Sequence, residues 1–326
     1  MCGNFKKVME KAKVSGKAKI SNQKTSMVKD NIEFALMTLP GFILFILFNY
    51  LPMYGVIIAF KDFKPLKGIM GSEWVGLENF RFFFTSQDAF RVTRNTLLYN
   101  GTFIILGMIL PVIFALMLYF LRSNIGRKVY NTVAILPNFL SAVIVAFIVY
   151  ALFNSQYGVV NAMMEKLGMQ PIEWYTELRA WPFILVIVKQ WMTIGMSSVL
   201  YYASLVSIDD SLFEAAKIDG ANTFTISRKI CVPHLKQIII IQAILAVGGI
   251  FGGDFGLFYQ VPRDQGVLYP VTDIIPTYIF RGLQSGTSRD MSISAAVGLF
   301  QAVVGMLLVI ITNAIVSKVS PEDSLF

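Results

Sequence analysis

Residues 96–121 read TLLYNGTFIILGMILPVIFALMLYFL and contain no charged side chain. Crossing the roughly 30 Å hydrocarbon core of a bilayer takes about 20 apolar residues as a helix, so this run is long enough to span. A strand of a membrane barrel would alternate polar and apolar residues. Here the apolar residues are continuous, which selects a helix. Pro111 does not exclude it, because membrane helices tolerate proline where neighbouring groups satisfy the freed backbone.

Outward from this run, five others have the same character: 34–60, 132–153, 183–206, 237–258 and 293–317. The expected fold is an all-α membrane protein with six transmembrane helices. Composition agrees, since 55% of the 326 residues are hydrophobic and 15% charged, against about 25% charged in soluble domains. A single soluble domain is excluded. The excess of 28 Lys and Arg over 20 Asp and Glu reads as loop cations that set orientation, not as a nucleic-acid surface. Eight lysines precede Phe34, so 1–33 reads as a basic cytoplasmic segment, too polar for a signal peptide. Both termini are expected in the cytoplasm, against the contrary weight of Lys61, Lys64 and Lys67 on the outer side. Residues 34–326 then form the transmembrane domain. Two cysteines make no disulfide framework, and the single histidine, His234, leaves no His-based metal site or catalytic triad.

The most informative loop is 207–236, between the fourth and fifth runs. Asp209 or Ser211 can cap a short helix through a side-chain oxygen. Leu212, Ala215, Ala216 and Ile218 give that helix a small apolar face. Gly220 can adopt the left-handed conformation that ends it, and a second helix follows until Pro233 breaks the pattern. Such a knob can dock into a groove on another protein, with Ala215 and Ala216 allowing close approach. A blander reading also fits: Ser211 and Glu214 have capping-box spacing, and the helix can lie on lipid.

The wording of this loop resembles the EAA motif of ABC importer permeases, at Glu214, Ala215, Ala216, Asp219, Gly220, Ala221, Ile230, Pro233 and Leu235. Gln237 departs from the proline common in that family. The likeness extends to Leu51-Pro52-Met53-Tyr54-Gly55-Val56, to Trp74 through Phe80, to Leu136-Pro137-Asn138-Phe139, and to Gly252-Gly253-Asp254-Phe255-Gly256. These stretches are similar to the LplB-like polysaccharide and oligosaccharide permeases. The resemblance implies a type I ABC importer permease fold in the plasma membrane. It also implies a second permease subunit, an ABC ATPase dimer that holds ATP and Mg, an extracellular sugar-binding protein, and an oligosaccharide or polysaccharide substrate. It makes Glu214, Ala215, Ala216, Lys217, Asp219, Gly220, Ala221 and Pro233 the interface with the ATPase. No phosphate-cradling GxxxxGK[ST] loop is present, so this chain is expected to transmit the energy of ATP without hydrolysing it.

Lys189 and Asp254 fall inside apolar runs, where charges face a cavity or each other. Lys189 is long enough to snorkel to the headgroups and is read so, whereas Asp254 is too short and is read as lining a translocation path. Trp191, Tyr201, Tyr202 and Tyr259 are candidates to stack on sugar rings there. Gly248-Gly249 and Gly252-Gly253 suit either close helix packing or an unwound stretch facing a cavity. Two other readings compete. The same machine can serve a non-sugar solute, or the chain can be a stand-alone secondary carrier, which would need more buried acids and inverted repeats.

Overall fold

The computed structural model describes residues 34–319. The basic segment 1–33 and the end of the chain, both expected in the cytoplasm, lie outside the described residues. By its internal contacts the chain divides into Met1–Ile57 and Ile58–Phe326.

The first apolar run is helix α1 (Phe34–Phe60). It widens to a π turn at Ile46–Tyr50 and tightens to a 3-10 coil from Leu51. Pro52 explains the widening: a proline ring collides with the carbonyl four residues earlier, here Phe48, and a π turn at that place makes room.

Beyond it, a two-residue ribbon pairs β1 (Lys61–Asp62) with β2 (Glu73–Trp74) in antiparallel register. Trp74 stacks on Phe60 at 5.7 Å. Next come α2 (Glu78–Thr85), α3 (Gln87–Phe120), α4 (Asn124–Phe139), α5 (Ala142–Phe153), α6 (Val159–Lys166) and α7 (Trp181–Val206). The remaining principal helices are α8 (Asp210–Ile218), α9 (Thr223–Gly248), α10 (Phe255–Gln260), α11 (Ile275–Gln284) and α12 (Ser288–Val319).

Among the described residues, five helices are long and apolar enough to cross a membrane, or six if the bent pair α4 and α5 counts as one. That pair corrects the expected continuous helix 132–153: its halves meet at 102°. Pro137 opens a tight 3-10 turn, and Ser141 starts α5 by accepting from the Ile144 amide at 3.3 Å. The expected helix 237–258 is also redrawn. It starts at Thr223, passes straight through Pro233 and stops at Gly248. A π turn at Ser227–Cys231 again contains the residue four before the proline, Lys229. The second helix begins at Gln87 instead of 96 because Ser86 caps it, accepting from the Ala89 amide.

Burial explains how the helices sit. On α3, Ile105, Ile109, Ile113 and Met117 recur every four residues and are exposed, while Val112, Ala115 and Leu118 are buried against the protein. Helix α3 packs along α7, and α9 along α12. Gly195 lets α7 approach α4 so closely that an added Cβ would lie 2.0 Å from the Ala134 carbonyl oxygen. Gly248 and Gly305 do the same between α9 and α12. Near the start of α3 the carboxylate of Asp273 is fully buried, taking Arg91 at 3.1 Å, Thr277 at 2.7 Å and the Arg281 guanidinium. Removing one partner of such a buried set is costly, so it pins the loop before α11 to α3.

Candidate functional site: a docking helix and a polar cavity

Helix α8 projects between α7 and α9. Asp209 caps it through the Ser211 amide at 2.9 Å, and that bond holds the Asp209 carboxyl below the usual carboxylate range. Glu214 therefore does not close a capping box with Ser211 and makes no hydrogen bond of its own among the described residues. At the other end the Ala221 amide bonds to the Ala216 carbonyl at 2.9 Å and the Gly220 amide to the Lys217 carbonyl at 3.0 Å. This is the two-bond Schellman closure, with Gly220 at φ +78°. Asn222 then caps the next helix through the Thr225 amide at 2.8 Å. The turn is thus closed on its α8 side by two backbone bonds and on its far side by the Asn222 cap.

The apolar face expected for α8 is divided. Phe213 is buried in a cluster with Tyr201, Leu205, Ile226, Cys231 and Leu235, and Ala216 and Ala221 pack against it. Its ring lies 5.5 Å from that of Tyr119 at the end of α3. Burying such a side chain is worth about 1.5–3 kcal/mol. Leu212 and Ile218 instead face outward, Ile218 at 86% exposure, together with Glu214, Ala215, Lys217 and Asp219. The helix thus holds the ends of α3, α7 and α9 with one residue and presents a mixed apolar and charged face with the rest. Pro233 lies within α9, ten residues past its first residue, and is exposed.

Between α3, α7 and α9 is an open cavity of about 660 Å³. Apolar walls come from Phe103, Ile104, Met108, Met196 and Leu200, and polar groups from Asn100, Lys189, Ser197, Tyr201, Gln242 and Asp254. Lys189 does not reach for headgroups: its Nζ lies 2.8 Å from Asp254 Oδ2. The same carboxylate caps α10 through the Leu257 amide at 3.0 Å. The segment between Gly248 and Asp254 is unwound, and Asn100 on α3 donates to the carbonyls of Ile250 and Gly252 at 2.9 and 2.8 Å. Both roles considered for the glycines are realised, Gly248 in packing and Gly249 to Gly253 in unwound backbone beside the cavity.

Of the five proposed path residues, Asp254 and Tyr201 line this cavity. Trp191 is exposed outside it, Tyr202 packs against the Phe213 cluster with its hydroxyl 3.4 Å from Arg127, and Tyr259 borders a separate cleft. Asn100 and Gln242 were missed. Each is a polar residue in an otherwise apolar run, which was the available signal.

The family described as "Binding-protein-dependent transport system inner membrane component" matches residues 104–321. The chain is 34% identical over 294 residues to the polygalacturonan/rhamnogalacturonan transport system permease protein YteP of Bacillus subtilis, covering 88% of each. It is equally identical over 287 residues to Protein LplB of the same organism, covering 88% of this chain and 89% of the other. Among solved structures, a chain of a bacterial ABC transporter involved in the import of the acidic polysaccharide alginate aligns with a TM-score of 0.81 at 31% identity. That match covers 90% of this chain and 98% of the other.

Proposed function

From the premise that this chain belongs to the family of binding-protein-dependent transport system inner membrane components, we propose that it is a permease subunit of an ABC importer for oligosaccharides or polysaccharide fragments. Both termini lie in the cytoplasm, and the docking helix α8 faces the same side. There it seats in a cleft of a separate ATPase, which binds ATP and Mg. A second permease subunit completes the path, and an external binding protein delivers the saccharide.

The observation that carries this reading is the build of α8. Phe213 roots it among the ends of three membrane helices while Glu214, Ala215 and Ile218 are left exposed. A rigid lever of this kind moves α3, α7 and α9 together when its outer face is displaced, and those helices wall the cavity. The saccharide class is supported by the names of the relatives and of the alginate transporter. Within the cavity, aromatic and aliphatic walls with a few convergent polar groups suit a sugar's alternating apolar and hydroxyl faces.

The test is ATP-driven uptake of oligogalacturonate by the tagged, co-purified transporter in proteoliposomes. Glu214→Ala, which removes no internal bond, should leave the chain folded but abolish the link between ATP hydrolysis and uptake. Asp254→Asn keeps the cap on α10 but unpairs Lys189, and should lower uptake with assembly intact. Wild-type uptake by both variants would refute the proposal.

A further inference from the structure

A second cleft, of about 250 Å³, lies between α5 and the end of α10, lined by Phe147, Tyr150, Tyr259, Gln260, Arg263 and Asp264. Its charges do not cancel as those of the main cavity do. There Lys189 is neutralised by Asp254. Here Asp264 is taken by Arg281 at 3.2 Å and by the Tyr269 hydroxyl at 3.0 Å. Arg263 is left with no carboxylate among the described residues, its guanidinium 4.2 Å from the centre of the Tyr150 ring.

The backbone holds it there at a cost. Arg263 and Asp264 are consecutive residues with φ of +58° and +48°, the only non-glycine positions in that region among the described residues. Strain of this sort persists where surrounding contacts over-determine it and clusters at ligand clamps. Two bonds impose it, from the Arg263 amide to the Gln260 carbonyl and from the Asp264 amide to the Tyr259 carbonyl, both 3.1 Å. Beside Tyr150, the Tyr175 hydroxyl is buried without a partner. Burial pushes that phenol up to about 12, and the nearby Arg263 charge opposes the rise.

An unpaired guanidinium set against aromatic faces is suited to a planar carboxylate on a sugar ring, which it grips through two parallel bonds. We propose that this cleft is a subsite for one uronic acid unit of an acidic oligosaccharide, with Arg263 binding the carboxylate and Tyr150 and Tyr259 flanking the ring. Asp254 at the start of α10 borders the main cavity and Tyr259 to Asp264 at its end border the cleft. Six helical residues rise about 9 Å, so a saccharide chain lying along α10 meets both. The proposal rests on the importer reading and adds to it a preference for negatively charged substrates.

The test compares trigalacturonate with its methyl ester, the same skeleton without charge, in the reconstituted transporter. Wild type should show a lower KM for the free acid. Arg263→Gln should raise that KM about tenfold or more, as expected for one lost charge-assisted hydrogen bond, and leave the ester within about twofold. Arg263→Lys should restore part of the preference. Equal KM values for acid and ester in wild type, or an equal effect of Arg263→Gln on both, would overturn the subsite while leaving the importer reading intact. Uptake of neither compound by wild type would overturn both.

Discussion

Gly220 shows how much rests on one backbone conformation. Its φ of +78° closes α8, and an added Cβ would meet no neighbouring atom within 4 Å. A substitution there is therefore penalised by conformation alone. Gly220→Val should cost about 1–2 kcal/mol locally, fray the Schellman turn and reduce ATP-driven uptake several-fold. Gly220→Asn, which tolerates the left-handed region, should retain most of it. Equal uptake by the two variants would show that the turn is not the critical feature. This glycine was legible in the sequence because helix-ending chemistry is local. The pairing of Lys189 with Asp254 was not: 65 positions separate them, and only the packing of α7 beside the unwound end of α9 reveals that each charge answers the other. The unpaired state of Arg263 was equally hidden, since it depends on Arg281 having claimed Asp264.

At the level of elements, hydropathy located the six apolar stretches but not their ends. An apolar window reports what lipid tolerates, whereas helix ends depend on caps and on proline geometry. Ser86 extends α3 beyond the apolar run, Ser141 divides α4 from α5, and the π turns before Pro52 and Pro233 keep helices intact, the second where a break was expected. The 207–236 loop was legible as helix, turn and helix. Its inward anchor, Phe213, was not part of the expected apolar face. Phe213→Ala should cost about 3–5 kcal/mol by emptying a packed cluster. In the intact transporter the loss should appear as faster amide exchange confined to 207–236 and as ATP hydrolysis no longer stimulated by the loaded external protein. Unchanged exchange there would show that α8 is held by something else.

For the whole molecule, the account is mechanical. A stiff helix on one face is rooted in the helices that wall a polar cavity, so force applied to it changes the cavity. The ion pair, the Asn100 clamp on Ile250 and Gly252, and the glycine contacts of α9 with α12 define the parts that must move together. The ATPase is the element of this account furthest from the chain itself, and contact with it is the claim on which the rest depends. The direct measurement is site-specific cross-linking in a Cys2→Ser background, in which the remaining cysteine, Cys231, is buried. A cysteine at Ile218, 86% exposed on α8, is compared with one at Leu66, fully exposed in the 61–74 ribbon region. The account predicts an adduct between Ile218→Cys and the co-purified ATPase whose yield changes with ATP, and none from Leu66→Cys. Free labelling of Ile218→Cys by solvent reagents in the assembled transporter, with no ATPase adduct in any nucleotide state, would contradict it.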